Sequence, residues 1–265
     1  MSGDRPIPAA TILLLRDAPA FQVLMVERHA GISFAGGALV FPGGRIDPGD
    51  RDPAWTEHLD GCEVRDPAMR AGMIAAAREA FEETGILLAR EKGRGPGAPL
   101  VDGGRAAALA SLRRAVERDD GKFLEMMQAE NLALACDRLV LFARWIAPPG
   151  LHKRFDTLFF AAARPEGQEA REDGDETTEA LWIEPEAALA ARERGTRRMI
   201  FPTARNVELL AVSGSTAEAL DWARRRRIEP VQPKVVARGG VEYLTIPDDL
   251  GYPVTEEPLE TALRG

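Results

Sequence analysis

Residues 75–89, AAAREAFEETGILLA, leave the chain the fewest options. Residues 69–84 have helical composition, and Gly85 stands where a helix usually ends. Positions three and four apart share a helix face, so Glu79, Glu82 and Glu83 are neighbours. They fall in the last turns, where the negative end of the helix dipole disfavours anions. A solvated acidic face is one explanation. Against it stand Ala75, Ala76, Ala77 and Ala80, which let another backbone come close. The other explanation is a cation: hard carboxylate oxygens suit Mg²⁺ or Mn²⁺, with water and substrate phosphate completing the shell. Arg78 points about 100° round the axis from Glu79 and can pair with one carboxylate.

The rest of the chain places this helix in a mixed α/β domain. Residues 11–16 and 21–27 read as strands joined by a turn, and 139–147, 155–163 and 180–183 as further strands. Residues 86–89 continue the acidic helix as a short strand. The stretch 91–105, rich in glycine and proline, is the best linker candidate. Residues 105–130 resemble a pair of helices; 185–194, 203–212 and 217–227 read as helices, and 234–246 as extended tail. Cys62 and Cys136 are too few for a disulfide framework, which places the chain in a reducing cytoplasm. No run reaches the ~18 apolar residues of a membrane span. The net charge of −8 argues against non-specific binding to nucleic acid or anionic membranes. His29, His58 and His152 are too scattered for a metal triad, and the 224–227 arginine run reads as a solvated helix end.

Upstream of the acidic helix lies GGRIDPGD, residues 43–50. Together with REAFEETGI, residues 78–86, it resembles the Nudix box: a glycine, five residues, an acid, a spacer, then Arg-Glu-aliphatic-x-Glu-Glu-x-Gly-aliphatic. Gly44 fills the first position and Asp50 the acid, an aspartate where glutamate is usual. Arg78, Glu79, Glu82, Glu83, Gly85 and Ile86 match the second half, with Ala80 in place of a larger aliphatic. Twenty-seven residues separate Asp50 from Arg78 where the family normally has seven, so the box is split. The split resembles the insert-bearing relatives of the peroxisomal coenzyme A diphosphatases. So do FAGGALVFPGG at 34–44 and RFDTLFF at 154–160.

The resemblance implies one Nudix domain over 1–265, a mixed β-sheet sandwiched between helices. It would carry a helical box insert at 51–70, a helical insertion at 91–135 and a C-terminal helical extension and tail at 200–265. It implies Mg²⁺-dependent hydrolysis of a nucleoside diphosphate linked to a second group, with Mn²⁺ as a possible substitute. Carried over from the family, Gly44, Glu79, Glu82 and Glu83 hold the metal, the glutamates are catalytic, and Arg78 orients them, with Gly85 and Asp50 in support. The base is a box glutamate or a later acid, of which Glu176 is the best placed, six residues before Trp182. Arg154 and Asp156 share a strand face and either grip substrate or brace a loop. Arg28 matches the arginine of the compact coenzyme A signature, although Ser33 stands where that signature has a second one. Coenzyme A or an acyl-coenzyme A is the first substrate expectation; ADP-ribose, a nucleotide sugar or a dinucleotide comes next. A non-catalytic nucleotide sensor is the expectation from another class. A homodimer is possible.

Overall fold

The computed structural model describes residues 5–29, 31, 35–149, 153–174 and 177–262. Glu176, Asp175, Ser33 and His152 lie outside the described residues. In chain order the strands are β1 (Ile7–Arg16), β2 (Gln22–Arg28), β3 (Leu39–Val40), β4 (Gly43–Arg45) and β5 (Leu59–Asp60). Helix α1 (Pro67–Thr84) and β6 (Ala89–Glu91) follow, then α2 (Gly103–Leu109), α3 (Arg113–Arg118) and α4 (Gly121–Ala129). Next come β7 (Leu132–Ala135), β8 (Val140–Ile146), β9 (Phe155–Ala163) and β10 (Thr177–Ile183). Helices α5 (Pro185–Glu193), α6 (Phe201–Ala211) and α7 (Thr216–Arg225) lead to β11 (Pro230–Val231), β12 (Lys234–Arg238), β13 (Val241–Thr245), β14 (Glu256–Pro258) and α8 (Leu259–Ala262).

The central sheet runs β10-β2-β1-β9-β8-β11, with β3 added to β2 and β4 to β1. Strands β1 and β9 pair in parallel from Ile7↔Phe155 to Leu15↔Ala163. Alternate residues of a strand face opposite sides, and here both sides are covered. Ala10, Ile12, Leu14, Leu158 and Phe160 pack on α1, whereas Leu13, Leu15, Phe159 and Ala161 pack on the layer of α5, α6 and α7. The outcome is the expected α/β sandwich of helix, mixed sheet and helix. Helix α1 begins on an Asp66 cap, whose side chain accepts from Ala68 N at 3.0 Å, with Pro67 at the first position. It ends on Gly85 at φ 76°, whose N–H bonds Phe81 O at 2.9 Å. Ala75, Ala76, Ala77 and Ala80 are fully buried, so their small size does let the sheet approach.

Several local expectations change. Residues 86–88 are buried but not a strand, because the side-chain amide of Gln168 takes the place of a strand neighbour. It accepts from Leu87 N at 2.8 Å and donates to Leu87 O at 3.1 Å. The strand appears later, as β6 paired with β7, which the sequence pattern did not single out. The pair of helices expected at 105–130 is three short ones. The insert at 51–70 forms 3₁₀ turns at Gly49–Arg51 and Pro53–His58 and the strand β5, with no α-helix before α1. The stretch 91–105 is tied down by Arg90, which is fully buried and donates to Gly95 O at 3.0 Å. His58 is buried with Nδ1 2.7 Å from Leu132 O, a structural role. The tail is a hairpin of β12 and β13, with β14 as third strand.

That tail is anchored by charge. Glu257 pairs with Arg192 at 2.7 Å and Arg205 at 3.4 Å, and Arg205 also pairs with Glu208 at 2.7 Å. Burial pushes Glu208 up from 4.5 to about 7 against the pull of Arg205. Between those two values the unfolded chain releases a proton that the folded chain keeps, so stability falls as pH rises toward 7. Glu208→Gln cannot ionise and lacks this slope. Its Tm relative to the parent should rise by on the order of 2–5 °C from about pH 5 to about pH 8, after allowance for solvent screening. A Tm difference independent of pH would refute this account of Glu208.

Candidate active site

Strand β4 follows β1 in antiparallel register, Ala10↔Gly44 and Thr11↔Gly43, and α1 crosses above it. The approach depends on glycine. A Cβ on Gly44 would collide with the Glu79 carboxylate, and one on Gly43 would lie 2.7 Å from Ala10 O. The glycine half and the glutamate half of the divided motif are thereby brought into contact. Gly43 N donates to Glu83 Oε2 at 3.3 Å.

Arg78 joins the halves at the side-chain level. Its guanidinium grips Asp50 with two bonds, Nε to Oδ1 at 2.9 Å and Nη2 to Oδ2 at 3.0 Å. Nη1 donates to Glu79 at 3.0 Å and Glu82 at 2.8 Å, and Nη2 to Arg45 O at 2.9 Å. Asp47 stands 3.6 Å from Nη2. All four groups Arg78, Asp50, Glu79 and Glu82 are buried or nearly so. Burial pushes the Glu79 carboxyl up to about 8, the Arg78 charge opposing. Burial also raises Asp50 and Glu82, again against Arg78. Burial works against the Arg78 charge too, but Glu79 and Asp50 outweigh it and hold the guanidinium ionised. Arg78 is thus the cation the glutamates meet, and among the described residues no group of three His, Cys, Asp or Glu side chains is arranged to take a metal unaided. The donor set is nonetheless all hard oxygen, with four carboxylates around one guanidinium.

Other expected residues fall into two groups. Arg28, at the end of β2, reaches Glu83 with Nη1 4.0 Å from Oε1, so the structure brings it to the glutamates. Asp156 does not join them. It is gripped by Arg144 at 2.8 and 2.7 Å, while Arg154 donates to Ala147 O at 3.1 Å. The partner of Asp156 is therefore a residue of β8, a strand singled out only for its hydrophobicity. Arg144 and Asp156 line a cleft of about 720 Å³ with Arg5, Arg51, Met69 and Leu158. Met69 is in the first turn of α1, so this cleft lies roughly 20 Å along the axis from Glu82. Of the acids near Glu176, Asp173 accepts from Thr177 N at 3.1 Å, and Glu179 pairs with Arg197 at 2.7 Å.

Two contacts to the backbone of the divided motif had no signal in the sequence. Arg113, the first residue of α3, donates from Nε to Glu82 O at 2.8 Å and from Nη1 to Glu172 O at 3.4 Å. Asp120 accepts from Gly49 N at 2.7 Å. Neither residue lies in a segment that resembles the motif.

A helix, sheet and helix sandwich, with an acidic helix tied to a glycine turn by a buried arginine, defines the class as Nudix. The chain belongs to the family described as the NUDT19 Nudix domain, whose model matches residues 64–204. That range begins after Gly44 and Asp50, so their place beside the helix rests on the contacts above. The chain is similar to the acyl-coenzyme A diphosphatase NUDT19 of Gallus gallus, 27% identical over 68% of this chain and 61% of that protein. It is also similar to the putative nudix hydrolase 7 of Caenorhabditis elegans, 26% identical over 97% of this chain and 78% of that one. Among solved structures it resembles a Nudix hydrolase from Alicyclobacillus acidocaldarius, 26% identical with a TM-score of 0.67, covering 82% of this chain and 96% of that one. The chain spans about 61% of the length of the chicken relative.

Arg78→Lys keeps one charge but cannot make the fork to Asp50 while reaching Glu79, Glu82 and Arg45 O. Arg78→Lys should destabilise the fold by less than Arg78→Met, which leaves the buried carboxylates without this cation and should cost about 3–5 kcal/mol in urea unfolding. A loss below about 1 kcal/mol would mean that the cluster is solvated.

Proposed function

We propose that the chain hydrolyses the diphosphate linkage of a nucleoside diphosphate derivative, and that the substrate is coenzyme A or an acyl-coenzyme A. The observation that carries this reading is the excess of carboxylate at the joined halves of the motif. Asp47, Asp50, Glu79 and Glu82 surround a single guanidinium. A diphosphate is itself anionic, so the site and its substrate repel one another unless a divalent cation comes between them. Glu79, Glu82, Glu83 and the carbonyl of Gly44 would hold it. When bound, Mg²⁺, or Mn²⁺ in its place, supplies charge neutralisation at phosphorus and lowers the pKa of a water.

The chain's own residues do the rest. Arg78 holds Glu79 and Glu82 at fixed positions on the helix, Asp50 locks Arg78, and Gly44 leaves room for the Glu79 carboxyl. Arg28, beside Glu83, is placed to meet a phosphate oxygen. Glu83 is the box carboxylate outside the Arg78 cluster, and its contact with Gly43 N orients it toward the glycine turn. The coenzyme A assignment is supported by the name of the chicken relative and by the divided motif. No helix is long and apolar enough to cross a membrane among the described residues. The free thiols Cys62 and Cys136 fit a reducing cytoplasm.

A panel of coenzyme A, acyl-coenzyme A, ADP-ribose, a nucleotide sugar and a dinucleotide, assayed with Mg²⁺, tests the reading. Coenzyme A species should be cleaved to two phosphorylated products with the highest kcat/KM. Glu83→Gln should lower kcat by on the order of 10²–10³-fold, the scale of losing one preorganised electrostatic group. No turnover on any member, with nucleotide binding that survives Glu83→Gln, would instead identify a sensor.

A further inference from the structure

In the divided motif, residues 51–77 separate the glycine half from the glutamate half, and something must hold the two together. The helical segment 103–129 touches both. Asp120, just before α4, accepts from the backbone N–H of Gly49 at 2.7 Å. That contact also needs a glycine, since a Cβ on Gly49 would lie 2.7 Å from the Asp120 backbone. The next residue, Asp50, is the one that Arg78 grips. On the other side, Arg113 Nε donates to Glu82 O at 2.8 Å, between the backbones of the adjacent glutamates. Its Cδ lies against Gly85, where a Cβ would be 3.8 Å away.

Between these two anchors runs an aromatic bridge. Trp55 of the box insert, Phe123 of α4 and Phe81 of α1 have ring centroids 5.6 and 6.0 Å apart. All three are buried, and Trp55 Nε1 donates to Gly49 O at 3.0 Å. Gly49 is therefore held through its N–H by the helical segment and through its carbonyl by the box insert. Nη2 of Arg113 is buried without a hydrogen-bond partner among the described residues. The side chain thus spends its well-formed bond on Glu82 O rather than on a saturated ion-pair network.

We propose that segment 103–129 is a clamp that assembles the divided motif, with Asp120 and Arg113 as positioning residues for the carboxylate site. Asp120 sets the turn that aims Asp50 at Arg78. Arg113 sets the backbone at Glu82 and so the direction of the Glu82 and Glu83 carboxylates. The inference rests on the proposed metal-dependent function, and it assigns control of cation affinity to residues outside the box.

The test is Mn²⁺ binding to the full chain, by titration calorimetry or loss of the free-ion resonance signal. Tm, kcat and KM are measured on the same samples. Asp120→Ala and Arg113→Met should each weaken Mn²⁺ binding about 10- to 100-fold, the range for partners that orient metal ligands. Asp120→Asn keeps an oxygen acceptor for Gly49 N and should stay within about threefold of the parent. Phe142→Leu, in the core on the opposite face of the sheet and away from the clamp, should lower Tm yet leave Mn²⁺ affinity near the parent value. In the two weakened variants kcat should fall more than KM rises, and added Mn²⁺ should recover part of the loss.

If Asp120→Ala does not fold, Arg113→Met carries the test alone. Normal Mn²⁺ affinity in the folded variants, beside loss of binding in Glu83→Gln, would overturn the clamp and leave the proposed function standing. A parent chain that binds no Mn²⁺ would remove both.

Discussion

The guanidinium of Arg78 is the interaction on which the rest of the site depends. It is buried, it donates to Asp50, Glu79 and Glu82, and it donates a further bond to the carbonyl of Arg45. Withdrawing so many charges from water costs several kcal/mol per ion, and the mutual attraction repays this only with near-complete hydrogen bonding. Arg78 comes close to that condition. Lysine, a point charge on a flexible stem, does not meet it. The same bonds fix geometry: one planar group touches both halves of the divided motif, so its rigidity becomes the rigidity of the site.

Dividing the motif has an entropic cost. Lengthening the connection from seven residues to twenty-seven adds about 1 kcal/mol of loop-closure entropy. A hydrogen bond to a charged partner contributes about 1.5–3 kcal/mol, so the Gly49–Asp120 contact alone is of the size needed to offset it. The insert also brings its own burial. Trp55 is 3% exposed and Phe123 wholly buried, and the two rings pack against one another. The insert and the helical segment thus pack on one another and on Phe81 of α1.

The fold was legible wherever one periodicity dominated. The strand at Phe155–Ala163 and the helix ending at Gly85 follow directly from apolar runs and a glycine stop. It was illegible where a single side chain replaces a backbone partner, as Gln168 does beside Leu87. The site divides in the same way. Glu79, Glu82 and Glu83 stand at fixed spacing because they share a helix, whereas Gly44, on β4, was legible only through the glycine half of the motif. Asp156 could be seen as an anomaly in an apolar strand, but its partner Arg144 is set by the β8–β9 register, where Ile146 pairs with Asp156 and Arg144 with Leu158. Asp120 and Arg113 act on backbone atoms of distant residues, and a contact of that kind leaves no spacing to detect.

Helix α1 has two unlike ends, and the difference follows from where its charges sit. At its start Asp66 caps the free N–H groups, close to the cleft with three arginines, Arg5, Arg51 and Arg144. At its end Glu79, Glu82 and Glu83 lie against the negative pole of the dipole, an arrangement that costs stability unless other charges compensate. Arg78 compensates along one face, and Arg113 caps the carbonyl of Glu82. Arg78 does so from within α1 and Arg113 from α3, so the carboxylates are held without being neutralised one for one. A helix terminus with surplus negative charge, held by buried ion pairs and hydrogen bonds, has the carboxylate excess on which the proposed divalent cation would act.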